Sequence, residues 1–344
     1  MLKGNYNIFN EDCVQCLKKM QDSSIDCVST DPPYGIGYQA HEWDKAIPEI
    51  ETWEQVLRVL KPGAFATVFS SVRLMHRMMV GLEDAGFLIK DVLFWSYLNG
   101  MPKSRNISLE IDKALGVESR KIGEYKYVQG YKKGGAENYY SPTPKNILEP
   151  SSEMGLKYRG AGIALKPAYE PIILVQKPIE QGLTIAQNII KYGTGALNIE
   201  ESRIPYSDDD LKVGHNPHPK GRVPTNILRM SEHEDGYDKF FMVPKVRQKK
   251  DGFNHHPTIK PVALMEHLIE LTSFEGMTVL DPFLGSGTTV VSSLNLGRVG
   301  LGIEKSSEYF KIAQERIANL VGAAMPEKAK THLKSELGQY SLKL

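Results

Sequence analysis

Asp31, Pro32, Pro33 and Tyr34 stand directly behind the apolar stretch that contains Ile25, Cys27 and Val28. Two consecutive prolines hold two φ angles and remove two backbone donors, and the residue before each is pushed out of the helical region. The tetrapeptide is therefore a stiff, extended tip at a strand end. It keeps a carboxylate, a free carbonyl or two and an aromatic ring in fixed relation. That arrangement suits gripping a flat object that carries N–H donors. The plain alternatives are a strand-end turn acid for Asp31 and a lid over the core for Tyr34.

A second constellation lies at residues 277–291, MTVLDPFLGSGTTVV: a strand, an acid, a Gly-x-Gly turn and a helix start. Gly285, Ser286 and Gly287 let the backbone approach a ligand closely, and the helix start presents free N–H groups. A dinucleotide fingerprint needs a third glycine where Val290 sits, and a P-loop needs a lysine after Gly287 that is not there. Glu304 closes the next strand, VGLGIE, where an acid can take both hydroxyls of a ribose. The ligand expected is a nucleoside without a polyphosphate.

The elements that must position these groups read as α/β. Short apolar runs predict strands at residues 6–9, 27–30, 65–69, 87–95, 170–175, 278–280 and 299–303. Helical stretches at 14–20, 53–60 and 74–85 alternate with them, and another follows Pro261, read as its first residue. Such alternation implies a mostly parallel sheet covered on both faces. Residues 99–166 and 181–257 break the pattern with Gly, Pro, Asn, Tyr and basic residues, the language of loops. The 344 residues, 41% apolar, allow one large domain or two smaller ones.

Net charge is +1, which by itself names no partner. Residues 101–260 carry 25 Lys and Arg against 19 Asp and Glu, so the middle of the chain is its basic part. Lys245, Arg247, Lys249 and Lys250 form the densest basic run and are read as phosphate contacts, with a solvated loop as the alternative. Tyr125, Tyr127, Tyr131, Tyr139 and Tyr140 lie among lysines. They suit either unstacked bases or a packed sub-core, and both readings stay open. No apolar run reaches the length of a membrane span, and MLKGNYN is not a signal sequence, so a cytoplasmic protein is expected. Cys13 and Cys16 have the C-x-x-C spacing without a second pair, and His255 and His256 lack partners. No metal is expected.

The Gly-x-Gly turn together with the DPPY tip resembles the S-adenosyl-L-methionine-dependent DNA amino methyltransferases. DPPY comes first and FLGSG last, as in the beta group of that family. HPTIKP at 256–261 and NEDC at 10–13 match as well, and LKPAYEPIILVQKP, YGTGALNIEESRI and GRVPTNI resemble phage and bacterial adenine methyltransferases. The resemblance covers residues 5–99, 166–178 and 255–320. It implies a circularly permuted class I methyltransferase fold that begins at the third strand and ends after the second. Its sheet is seven-stranded and mostly parallel, with helices on both faces and irregular inserts for target recognition. Residues 1–98 become the catalytic half, 99–166 an insert, 167–180 a core strand, 181–255 the target-recognition insert, 256–320 the cofactor half and 321–344 a tail.

On the same resemblance, Asp31, Pro32, Pro33 and Tyr34 are the catalytic tip, with Tyr34 stacked on the extracted base. Asp12, Cys13, Asp31, Thr258, Lys260, Asp281, Phe283, Gly285, Ser286, Gly287, Thr288 and Glu304 become cofactor-binding, with Thr288 capping the helix start. Asp12 is also a natural helix N-cap, and both roles are compatible. Lys260 is alternatively a solvated cap residue. The implied activity is methylation of adenine N6 on a flipped-out base of double-stranded DNA, as in restriction-modification systems. Cytosine-N4 methylation is the near rival, and an inactive cofactor-binding DNA-binding module the distant one. Monomer and homodimer both stay open.

Overall fold

The computed structural model describes residues 5–37, 42–96, 104–125, 128–131, 138–141, 145–165, 167–206, 218–229 and 259–324. The chain starts with β1 (Tyr6–Phe9), α1 (Cys13–Lys19), β2 (Ile25–Thr30), α2 (Ile50–Val59), β3 (Leu60–Phe69), α3 (Met75–Asp84) and β4 (Leu88–Ser96). Next come α4 (Ile107–Ala114), β5 (Arg120–Tyr125), β6 (Val128–Tyr131), β7 (Asn138–Ser141), β8 (Lys145–Glu149) and α5 (Glu153–Lys157). The remainder is β9 (Tyr169–Gln176), α6 (Ile185–Tyr192), β10 (Ile227–Arg229), α7 (Val262–Thr272), β11 (Thr278–Asp281), α8 (Thr288–Asn295), β12 (Val299–Ile303) and α9 (Ser307–Ala324). Described residues within Met1–Tyr97, Glu170–Arg247 and His256–Leu344 form one compact unit, and those within Leu98–Tyr169 belong to a second.

The first unit is built on an eight-stranded sheet in the order β1-β12-β11-β2-β3-β9-β4-β10. Strand β9 runs antiparallel to β3, and the other pairings described are parallel. The last two strands of the chain thus enter between its first and second, as the permutation requires. Seven strands were expected. The eighth, β10, pairs Ile227 with Phe94 and Arg229 with Ser96. Its three residues lie in a segment whose composition reads as loop, too short for any periodicity to show.

Alternation along the strands builds a core on each face. Ala66 and Val68 of β3, with Ile173 and Val175 of β9, meet Leu17 of α1, Trp53 and Val56 of α2 and Met78 and Leu82 of α3. Their neighbours Phe65, Phe69, Ile172 and Leu174 face Leu264, Leu268 and Ile269 of α7 on the other side. A buried carboxylate ties three strands together: Asp26 accepts from Lys61 Nζ at 2.5 Å and from the Thr278 N–H at 2.8 Å. α6 is held to β3 by Asn188, whose Nδ2 donates to the Pro62 and Thr194 carbonyls, each at 2.8 Å.

In the second unit β5 pairs with β8 and β6 with β7, all antiparallel. Glu149 binds the guanidinium groups of Arg120 and Arg159. Asp112 on α4 is the hub that fastens α5. It accepts from the Ser151 N–H at 2.7 Å, the Ser152 N–H at 3.1 Å, the Ser152 hydroxyl at 2.5 Å and the Ser119 hydroxyl at 2.8 Å. The Ser152 hydroxyl, with these other donors, holds the Asp112 carboxyl down to about 2. A depressed carboxyl adds stability that is complete above the ordinary carboxylate range and lost as pH falls through the folded value. Asp112→Ala should therefore speed amide exchange at Ser151 and Ser152 on the order of tenfold at neutral pH, read by exchange mass spectrometry. That difference should close as pH falls toward 2.

Candidate active site

The carboxyl ends of β12, β11, β2 and β3 lie along one edge of the sheet, because parallel register aligns them. Asp31 follows β2, Asp281 ends β11 and Glu304 follows β12. Antiparallel β9 meets the same edge with its start, which carries Glu170. The tip and the Gly-x-Gly turn are thereby made neighbours; Thr30 Oγ1 donates at 2.7 Å to Asp281 Oδ1, 251 residues away in sequence.

At the tip, Asp31 Oδ1 accepts from the Tyr34 hydroxyl at 2.6 Å, and Oδ2 binds Lys260 Nζ. Glu170 Oε2 lies 3.4 Å from the same hydroxyl and 3.6 Å from Nζ. The ammonium also stands 4.8 Å from the centre of the Phe69 ring and 5.5 Å from that of Tyr34. Lys260 is buried, at 8% exposure, so it is not a solvated cap. Burial, which alone would lower its pKa, is outweighed by the Asp31 and Glu170 carboxylates, which raise it. For Asp31 the balance goes the other way. Burial raises the carboxyl, and Lys260 and Tyr34 only partly counter it. Burial and the two neighbouring acids also push the Tyr34 phenol well above its ordinary value, so it stays a donor.

Asp44 shapes the loop behind the tip, and nothing in its sequence context marked it. Its Oδ1 accepts the N–H groups of Tyr34 at 2.6 Å and Gly35 at 2.9 Å, and its carbonyl accepts from Gly37 at 2.9 Å. A buried acid thus takes up donors that the turn leaves free after two prolines.

In the Gly-x-Gly turn, Asp281 is buried and fully engaged. Beside Thr30 it accepts from the Phe283 N–H at 3.0 Å and from Thr289 Oγ1 at 2.5 Å. Burial pushes its carboxyl up to about 6, with these three donors opposing. Phe283 packs on the core beside Trp53, ring centres 6.4 Å apart. Gly287, not Thr288, caps α8, at φ 84°. A Cβ there would approach the Ala313 Cβ to 3.2 Å, so the residue is needed for conformation and for packing against α9. Thr288 is the first helical residue and accepts from Arg316 at 2.9 Å; the same guanidinium reaches the Ser286 carbonyl at 3.3 Å. Glu304 is held by its own surroundings: Oε2 accepts from the Gly285 N–H at 2.8 Å and Oε1 from the Ser306 N–H at 2.7 Å.

Asp12 caps α1, accepting from the Val14 and Gln15 N–H groups, and its other oxygen takes Lys305 Nζ at 3.0 Å. Burial alone would raise its pKa, but Lys305 and the cap donors lower it. Asn10 donates to the Glu304 carbonyl at 2.8 Å, which docks this motif on β12. The neighbouring Cys13 thiol is pushed up to about 11 by burial and by Asp12, so it remains protonated. Pro261 is the N-cap of α7, one position before the first-turn place expected. Thr258, Lys245, Arg247, Lys249, Lys250 and both His255 and His256 lie outside the described residues, as do Tyr127 and the side chains of the other four tyrosines. Among the described residues no group of three or more His, Cys, Asp or Glu is placed to hold a metal, and no helix is long and apolar enough to cross a membrane.

A family model described as DNA methylase matches residues 25–315. The chain belongs to that family. The methylase is 27% identical over 352 residues to the type II methyltransferase M.HindIII of Haemophilus influenzae, covering 90% of this chain and 94% of that protein. It is 26% identical over 311 residues to the DNA adenine methyltransferase YhdJ of Escherichia coli, covering 90% and 82%. Among solved structures, the cytosine-N4-specific PvuII DNA methyltransferase shares the fold, with a TM-score of 0.51 and 16% identity over 96% of this chain and 91% of that one.

In the methylase, Glu170 (within LKPAYEPIILVQKP), Asp44 and Arg316 were not singled out from sequence; all three act through tertiary contacts. Asp281 yields a stability test. Its raised carboxyl costs nothing below the ordinary carboxylate range, costs progressively more as pH rises toward about 6, and a constant amount above. Asp281→Asn removes that burden, so its melting temperature should exceed that of the wild type above pH 6. The gain should be of order 2–3 kcal/mol and vanish near pH 4. A melting series across that interval measures it.

Proposed function

We propose that this DNA methyltransferase moves a methyl group from S-adenosyl-L-methionine to the N6 amino group of adenine in double-stranded DNA, on a base drawn out of the helix. The carrying observation is the Asp31 carboxylate, held beside the Tyr34 hydroxyl and Lys260 at the sheet edge that also bears the Gly-x-Gly turn and Glu304. The choice of adenine is supported by the DPPY form of the tip and by the likeness to a protein named as a DNA adenine methyltransferase.

The residues present fit such a cofactor. Its sulfonium and its ribose hydroxyls call for carboxylates, and Asp12, Asp281 and Glu304 supply them near a turn whose glycines, at φ 54° and 84°, admit close approach. The nearby cation Lys260 is matched by Asp31 and Glu170, so the edge is poorly suited to a polyphosphate. Glu304 would hold the ribose, and residues 281–287 the methionine side. When bound, the cofactor supplies an electrophilic methyl group.

The chain's own residues prepare the nitrogen. An exocyclic amino lone pair is delocalised into the ring and is a poor nucleophile. The Asp31 carboxylate and the Pro32 carbonyl accept its two N–H groups, which favours a pyramidal nitrogen with its lone pair free. Tyr34 supplies a ring face at the same place, and Asp31 takes the proton that the methylated nitrogen releases. Position and electrostatics do the work, more than base strength.

Labelled cofactor with DNA, followed by mapping of the modified base, tests the reading; label in cytosine N4, or none in DNA, would refute it. Asp31→Ala should lower turnover by roughly a hundred- to a thousandfold. Cofactor affinity by titration should fall far less than turnover, since residues 281–287 and Glu304 remain, and the fold should survive because Lys260 keeps Glu170 as a counterion. Substantial residual turnover would remove Asp31 from its role.

A further inference from the structure

Both groups that occupy Asp31 have a second acceptor within reach, and it is the same one. Lys260 Nζ binds Asp31 Oδ2 and stands 3.6 Å from Glu170 Oε2. The Tyr34 hydroxyl donates to Asp31 Oδ1 at 2.6 Å and stands 3.4 Å from that same Oε2. A small side-chain movement therefore transfers either group from one carboxylate to the other.

The proposed reaction gives such a transfer a purpose. A carboxylate already paired with an ammonium and a phenol is a weakened acceptor for a third set of donors. The target amine must compete for it. Lys260 cannot withdraw into water, because its side chain is 9% exposed, and a buried ammonium needs a carboxylate partner. Glu170, with 17% of its side chain exposed, is placed to be that partner. The three charges Asp31, Glu170 and Lys260 sum to the same value before and after the exchange, so no additional net charge is buried.

We propose that Glu170 is a positioning residue for methyl transfer, which draws the Lys260 ammonium and the Tyr34 hydroxyl off Asp31 as the target amine arrives. This role rests on the reading of Asp31 as the acceptor of that amine. Topology explains how this residue of the LKPAYEPIILVQKP stretch reaches the tip. β9 runs antiparallel to its neighbour β3, so it brings its beginning to the edge where β12, β11, β2 and β3 bring their ends.

The charged groups that face Asp31 are Lys260, Glu170 and, from β11, Asp281, with the Tyr34 phenol beside them. Asp31 works ionised, so the acid limb of the rate profile reports its protonation. Glu170 is a like charge that raises Asp31, and Glu170→Gln removes it. The test is single-turnover methyl transfer to DNA across the acid and neutral range, for the wild type, Glu170→Gln and Glu170→Asp. Cofactor affinity, DNA affinity and melting temperature are measured beside it. Glu170→Gln should lower the plateau rate by roughly ten- to a hundredfold with both affinities unchanged, while its acid limb moves to lower pH. Glu170→Asp keeps the charge and should be slowed less, with the limb in place.

A wild-type rate in Glu170→Gln overturns the proposal. So does a slowing that merely follows lost thermal stability and leaves the acid limb where it was. Should Glu170→Gln fail to fold, Glu170→Asp decides: a wild-type rate rejects the role, and a slowed, fully stable variant supports it. A wild type that methylates no DNA refutes the underlying function and this role with it. An active wild type beside an indifferent Glu170→Gln refutes the role alone.

Discussion

Parallel pairing is the constraint on which the site depends. Strands β12, β11, β2 and β3 run side by side in one direction, so each must release its chain at the same edge. A residue just past one strand end therefore meets residues just past the others, however far apart they lie in sequence. Asp31, Asp281 and Glu304 come together for this reason. The permuted chain order changes which end of the sequence supplies each strand and leaves the edge intact.

Gathering acids at a partly dry edge is costly, and the fold meets the cost differently at each position. Asp281 is surrounded by neutral donors, two hydroxyls and an N–H, and burial still raises its carboxyl to about 6. Glu304 is steadied by backbone N–H groups from the turn and from the start of the following helix. Asp31 alone of the three pairs with a buried cation, and that cation is shared with Glu170. Pairing keeps the charge of Asp31 available but also occupies its oxygens. Both of its partners, the Lys260 ammonium and the Tyr34 hydroxyl, also lie within 3.6 Å of Glu170 Oε2.

The supports of the turn show the same economy of placement. Arg316, from the last described helix, binds the Ser286 carbonyl and the Thr288 hydroxyl, so α9 holds the segment that α8 begins. Asp44 does the corresponding work behind the tip, where two prolines remove backbone donors and the next N–H groups still need an acceptor. Both are long-range partners whose function is to keep a short irregular segment in one shape.

The local chemistry was legible in the sequence because it is local. Asp31 with its prolines and Tyr34, the Gly-x-Gly turn with Asp281, and Glu304 at a strand end each declare themselves within a few residues, since backbone stiffness and glycine freedom act over that range. Outside residues 99–166 and 181–257, strand and helix positions followed from periodicity to within a few residues, and motif order carried the permuted topology; α4, α5, α6 and β5–β8 lie in those two segments, whose composition reads as loop. The cap of α8 was misread by one place, because only the φ of Gly287 distinguishes it from Thr288. Strand β10, the burial of Lys260 between two acids, and the placement of Glu170, Asp44 and Arg316 were decided by tertiary structure alone. Each depends on which distant segment packs against which. Sheet order and direction set that, and no spacing along the chain records it.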